Sequence, residues 1–233
     1  MLISGKKKYV QSPFVSEEEL RGMVVENTDY FFGPSSFCLS KELISTRDGF
    51  GEIPDGFAID IESRRWFILN ANFAKNDVWS HIAPQVVRQL IAAERATTKQ
   101  LLVELIIQQV REDENIMEKL SAAGIFKRGD KGVFDKDIRG ILGEIFGKSP
   151  ILGMAIDSIS DDLRDWATTL RVDVKLWKIK KYADMGNSKN TLYEIPPRPE
   201  LDTARKSDSS ESETADSKEE DQDEMSVKEL DYK

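Results

Sequence analysis

The sequence predicts an α/β fold, a central mixed β-sheet flanked by helices and followed by a disordered acidic C-terminal tail. Three observations carry this prediction. Residues 53–73 hold two strand-like runs of aromatic and branched side chains around a short polar turn. Residues 151–179 run strand, helix, strand within about 30 residues, the length of a crossover unit with parallel strands. Between these stretches the apolar residues recur at helical spacing.

Residues 1–15 read as a loosely held N-terminal arm, residues 16–195 as the folded domain, and residues 196–233 as the tail. Ser16-Glu17-Glu18-Glu19 is a capping box. The helix it opens runs to about Asn27, with Leu20, Met23 and Val24 on one stripe and Glu26 near its end. Tyr30–Pro34 reads as a turn, Ser36–Leu39 as a short strand, and Arg47–Glu52 as a loop punctuated by glycines.

Pro54-Asp55 then opens the hairpin. Its first arm is Gly56–Ile61, its turn Glu62-Ser63-Arg64-Arg65, and its return arm Trp66–Phe73. Side chains alternate along a strand, so Asn70 and Asn72 share one face and Ala71 points to the other. Asp77 caps a helix through Val78, Ile82 and Val86, with Pro84 marking a first turn or a break. Gln85, Arg88 and Gln89 fall at helical spacing on it, and His81 reads as a surface or half-buried residue.

Thr97–Ala123 reads as one long amphipathic helix and Lys127–Gly132 as a basic loop. Asp135 reads as the cap of a further helix that ends before Gly147 and Pro150. Ile151–Ile156 is a strand, Ser160-Asp161-Asp162 starts a helix, and Val172–Ile179 is a second strand with a lysine-rich exit.

Composition narrows the function. The net charge of −9 belongs to the tail: residues 200–233 hold thirteen acids and five bases, leaving 29 acids and 28 bases in the body. The tail has too few apolar residues to bury a core. No apolar run is long enough for a membrane span, and the N-terminal lysines precede no apolar stretch, so a secretory signal is not expected. Cys38 and His81 are the only cysteine and histidine, which argues against a structural zinc site and an internal disulfide. The expected location is intracellular, in the cytoplasm.

From Glu26 to Gln89 the layout resembles the restriction-endonuclease-like superfamily, the PD-(D/E)XK nucleases. In that family Pro-Asp opens one strand and acid-x-Lys, or an acid-x-acid variant, lies on the next. Pro54-Asp55 matches, while Asn70-Ala71-Asn72 stands where the second half is expected. The resemblance implies a metal-dependent DNA endonuclease in which acids hold Mg²⁺ or Mn²⁺ against the scissile phosphate. It implies Asp55 as one metal ligand, the Ala71 carbonyl as another, and Asn70 in the place of a second acid. Asn72 takes the place of the lysine, Glu26 that of a first-helix acid, and Gln85 that of a helix glutamine. An amide brings no charge, so the ion is expected to bind weakly and cleavage to be weak or absent. Lys75 is a candidate substitute for the missing lysine. Three readings remain open at this point: a weakened endonuclease, a catalytically silent relative that binds nucleic acid (DNA foremost) or protein, and an unrelated structural module.

Overall fold

The computed structural model describes residues 1–40, 54–122, 124 and 131–203. Its centre is a six-stranded mixed sheet built on the hairpin β4 (Gly56–Asp60) and β5 (Arg65–Asn72). The two strands are antiparallel in the register Gly56↔Leu69 to Asp60↔Arg65. Asp60 closes the turn by accepting the Ser63 N–H at 3.2 Å and an Arg65 guanidinium hydrogen at 3.1 Å. Arg64 takes the left-handed φ of 53° that this tight reversal demands. A Cβ on Gly56 would lie 2.9 Å from the Leu39 carbonyl oxygen, so only glycine lets β4 approach β3 (Ser36–Ser40) this closely.

β5 continues the sheet on its other side through parallel pairing with β6 (Ile151–Ile156), which pairs in parallel with β7 (Val174–Lys178). The crossover helix between them is Asp161–Thr169, and its N-cap Ser160 Oγ accepts the Leu163 N–H at 3.2 Å. The predicted α/β class, the hairpin and the parallel unit are therefore all present. Among the described residues no helix is long and apolar enough to cross a membrane.

The alternation of β5 divides two cores. Trp66 and Ile68 belong to the larger one, with Val86, Leu102, Ile106 and Leu142 from the helices between β5 and β6. Phe67, Leu69 and Ala71 belong to the second, with Leu20, Met23 and Val24 of α1 (Glu17–Glu26) and Phe31 and Phe32 of α2 (Thr28–Phe32). The α1 N-terminus is capped as its sequence predicts: Ser16 Oγ accepts the Glu19 N–H, and Glu19 reaches back to accept the Val15 N–H at 2.8 Å.

Several boundaries need correction. The first fifteen residues are not a loose arm. Leu2–Ser4 (β1) and Lys7–Ser12 (β2) are strands of a second sheet, in the order β1-β2-β8-β9 with β8 Lys180–Asp184 and β9 Thr191–Glu194. The hairpin turns at Gly5 with φ 59°, and Tyr9 faces Asp184 across the β2–β8 pair. Lys180 and Lys181, expected as a basic exit, instead lie in β8, where they pair with Glu194 and Glu19.

The helix after Asp77 opens with a π-helical turn, Val78–Ile82, before α3 (Ala83–Ala93). Pro84 has no N–H to continue an α ladder backward, and the Ala83 N–H reaches the Val78 carbonyl five residues back. The long helix breaks at Asp113 into α4 (Ala96–Glu112) and α5 (Glu114–Ala122). Asp113 has extended backbone, and its side chain accepts the Asn115 N–H at 2.9 Å, a cap that competes with helix continuation. α6 starts at Lys131 and runs to Phe146, so Asp135 lies within it rather than capping it. The Asp161–Thr169 helix is α7.

The tail begins later than Pro196. Leu201–Asp202 (β10) pairs antiparallel with β7 at the sheet edge, and the Thr203 N–H donates to the Val174 carbonyl at 3.0 Å. The Arg47–Glu52 loop, most of the Lys127–Gly132 loop and residues 204–233 lie outside the described residues.

Candidate functional site at the end of strand β5

Asn70 and Asn72 project, as alternation requires, to one face of β5, that of Trp66 and Ile68. Asn70 is 0% exposed, and neither its side-chain oxygen nor its nitrogen has a hydrogen-bond partner among the described residues. The Asn72 side-chain nitrogen is also buried without a partner. Their parallel neighbours on β6 are Met154 and Ile156, both apolar. The two amides therefore sit in an apolar layer of the larger core, not at an open surface.

The opposite edge of the strand end is crowded with carboxylates. Along β5 the N–H groups of Leu69, Ala71 and Phe73 point toward β4, which does not extend beyond Gly56 in this direction. Side chains take over the vacant ladder positions. Asp55 Oδ2 accepts the Ala71 N–H at 2.7 Å. Glu17 Oε1 accepts the Phe73 N–H at 3.2 Å and an Asn76 amide hydrogen at 2.7 Å. Asp157, just after β6, accepts the Ala74 N–H at 2.7 Å. Three acids from three parts of the chain thus satisfy the N–H groups of Ala71, Phe73 and Ala74, Asp55 and Glu17 on the β4 side and Asp157 on the β6 side.

Asp55 has a second neighbour. Its Oδ1 lies 3.6 Å from Arg21 Nη1, and both side chains are largely shielded from solvent. Arg21 sits one turn after Glu17 on α1, so one face of that helix supplies both groups. Glu26, five residues beyond Arg21, lies about 140° further round the helix and is exposed. The structure thus brings Arg21 rather than Glu26 to Asp55. Gln85 is half-buried on α3, and His81 is exposed on the π turn. Lys75 Nζ stands 5.0 Å from the Phe73 ring centre, on the α1 side of the sheet and away from the asparagine face.

Glu17, Arg21 and Asp157 were not singled out from sequence. The Glu17/Arg21 pair had a signal, a four-residue spacing in the first helix after the cap. Asp157 had only its place at a strand end.

This donor set does not fit Mg²⁺ or Mn²⁺ as it stands. The Asp55 carboxylate already accepts an amide hydrogen and faces a guanidinium, and a divalent ion would have to displace both. A unit charge about 4 Å away interacts at about 4 kcal/mol at an effective dielectric of 20. Asn70 offers a neutral oxygen within an apolar layer, on the face opposite to Ala71. A separate cleft of about 500 Å³ between α4 and α6, lined by Leu101, Glu104, Arg111 and Arg139, shares no residue with the β5 end. There Arg139 grips Glu104 with both guanidinium nitrogens and holds its carboxyl below the usual range.

No protein-family model matches this chain, and no curated protein or solved structure matches it either. The likeness to PD-(D/E)XK nucleases therefore rests on the sequence alone, on Pro54-Asp55 and the hairpin that follows it.

Proposed function

We propose that the chain is a nuclease-like scaffold that binds DNA and has lost efficient phosphodiester hydrolysis. The observation that carries this reading is the engagement of Asp55 by the Ala71 N–H and Arg21. The carboxylate that would hold a metal ion is built into the backbone of the next strand. The asparagines at 70 and 72 bring no charge to draw an ion in. The mixed sheet, with an antiparallel hairpin followed by a parallel strand, supports the scaffold half of the proposal.

A weakened endonuclease is the second reading. Its support is the presence of Glu17 and Asp157 at the same strand end, two further carboxylates that an arriving cation could recruit.

End-labelled DNA incubated with Mg²⁺ or Mn²⁺ separates the two. The parent chain is expected to shift the DNA in a gel and leave it intact. Asn70→Glu combined with Asn72→Lys, or with Asn72→Glu, is expected to remain without cleavage, because both positions are buried in an apolar layer and Asp55 is already engaged. Strong cleavage by the parent would favour the second reading. Failure of the parent to bind DNA at all would remove the proposal.

A further inference from the structure

One end of the second sheet carries four lysines that the body leaves without a counter-charge. β2 and β8 are antiparallel with Tyr9 opposite Asp184, so the β1–β2 turn at Gly5 and the β8–β9 turn at residues 185–190 lie at the same end. The Met185 N–H donates to the Lys8 carbonyl at 2.8 Å and ties the two turns together. Lys6, Lys7 and Lys8 stand at the first turn and Lys189 in the second, all exposed. None of the four meets a carboxylate among the described residues. By contrast Lys99, Lys119, Lys175, Lys180 and Lys181 each grip one. Residues 1–16 and 185–193 contain no acid. Asp184, the acid of β8 at this end, is buried and accepts the Gly186 N–H at 2.9 Å.

The same chain holds a run of the opposite sign. Residues 208–224 contain nine acids and one base, whereas residues 1–199 are nearly balanced, with 29 acids and 28 bases. Chain length lets the two meet. The Thr203 N–H is held on the Val174 carbonyl, and Val174 precedes Asp184 by ten residues along β7 and β8. Ten residues span at most about 35 Å. About ten residues beyond Thr203 cover that distance, so the acids from Glu213 to Glu224 arrive with chain to spare.

We propose that the acidic run 208–224 docks on the lysine end of the second sheet within its own chain. Charge selects this occupant, and the tether gives it a local concentration that a separate chain lacks. Exposed ion pairs are individually weak, so the contact depends on several acting together and on low ionic strength. It joins hydrated charges and adds no apolar packing. Its consequence is occupancy: another polyanion reaches these lysines only by displacing the run. The proposal stands apart from the DNA-binding reading above.

The test is carbodiimide coupling of the full chain at about 20 mM salt, where charges are little screened. An equal mixture of ¹⁵N-labelled and unlabelled protein separates couplings within a chain from those between chains by mass spectrometry. Couplings from residues 208–224 are expected to lie within one chain. They are expected to favour Lys6, Lys7, Lys8 and Lys189 several-fold over the exposed Lys75 and Lys148, and to fade at about 0.5 M salt. In the full chain carrying Lys6→Gln, Lys7→Gln, Lys8→Gln and Lys189→Gln, the amide resonances of 208–224 are expected to shift while those of the six-stranded sheet stay. Couplings spread evenly over all exposed lysines, or resonances of the run unmoved by the four changes, would overturn the proposal. So would couplings between labelled and unlabelled chains, which would make a second copy the occupant. A DNA oligonucleotide that shields these lysines in a chain whose run does not couple to them would assign the site to nucleic acid and overturn the docking equally.

Discussion

Asp55 Oδ2 accepts the backbone N–H of Ala71 at 2.7 Å, across a gap where β4 supplies no strand carbonyl. The aspartate of the Pro-Asp pair is thereby part of the sheet. It does for β5 what an N-cap side chain does for a helix: it satisfies a donor that the regular ladder leaves over. Arg21 then neutralises the charge in a shielded setting.

Asp55→Ala is expected to destabilise the fold by about 1–3 kcal/mol, since it strands a buried N–H and leaves Arg21 without its carboxylate. Asp55→Asn keeps an acceptor for Ala71 and is expected to cost less. Urea denaturation of the two variants checks the order. Equal losses would mean that the ion pair, and not the amide cap, carries the effect.

Asn70→Leu is expected to stabilise the protein by about 1–3 kcal/mol, because both polar atoms of a fully buried amide give way to apolar ones of similar volume. Asn70→Glu is expected to destabilise it, since a carboxylate would enter the same apolar layer. A leucine variant less stable than the parent by chemical denaturation would show that the amide is satisfied in solution, by an ordered water for instance.

Acid should loosen the joint between α1 and the second sheet. Burial pushes the Glu19 carboxyl up, but its hydrogen bonds to Lys181, the Val15 N–H and Tyr193, with the lysine charge, pull it further down, to a net position below its ordinary value. A carboxyl lowered in the folded state stabilises the fold above its unfolded pKa and loses that contribution as pH falls through the folded one. Protection from amide exchange in β8 and around Val15, taken relative to the intrinsic rate at each pH, is therefore expected to fall below the usual glutamate range. Glu19→Gln is expected to show the lower protection already at neutral pH and little further change on acidification.

A chain ending at Thr203 is expected to melt with the full-length protein, because the acidic composition beyond it offers little to pack. A chain ending at Pro199 should melt lower. It loses β10, the bond from the Glu200 N–H to the Leu176 carbonyl at 2.7 Å, and the Lys175–Asp202 pair at 3.1 Å. A deficit of about 1–2 kcal/mol corresponds to about 2–8 °C for a domain of this size. Identical melting of both chains by calorimetry would show β10 to be energetically idle.

The parts legible in the sequence were those whose pattern is local and strong. The β4–β5 hairpin shows in its aromatic and branched arms, and β6 and β7 in their apolar runs around a Ser160-capped helix. The N-terminal strands did not show, because Lys6-Lys7-Lys8 breaks the alternation and the partner strand lies at the far end of the chain. The break at Asp113 was hidden because apolar spacing continues across it into Ile116 and Leu120. At the site, strand alternation placed Asn70 and Asn72 on a common face correctly. It could not tell that this face is closed by the larger core, nor that Glu17 and Arg21 would gather beside Asp55 and Asp157 at Ala74, since such convergence depends on how separate elements pack.

The second sheet joins the two ends of the folded body: β2 begins at Lys7 and its partner β8 ends at Asp184. During synthesis the first hairpin must leave the ribosome long before any strand exists to receive it. For most of that time it is an unpaired edge, guarded by its own lysines against pairing with a neighbouring chain. The six-stranded sheet has no such dependence for β3 to β5, whose pairings are close in sequence. The closure of β2 on β8 bridges the longest sequence separation of the strand pairs among the described residues, so loop-closure entropy falls most heavily on it.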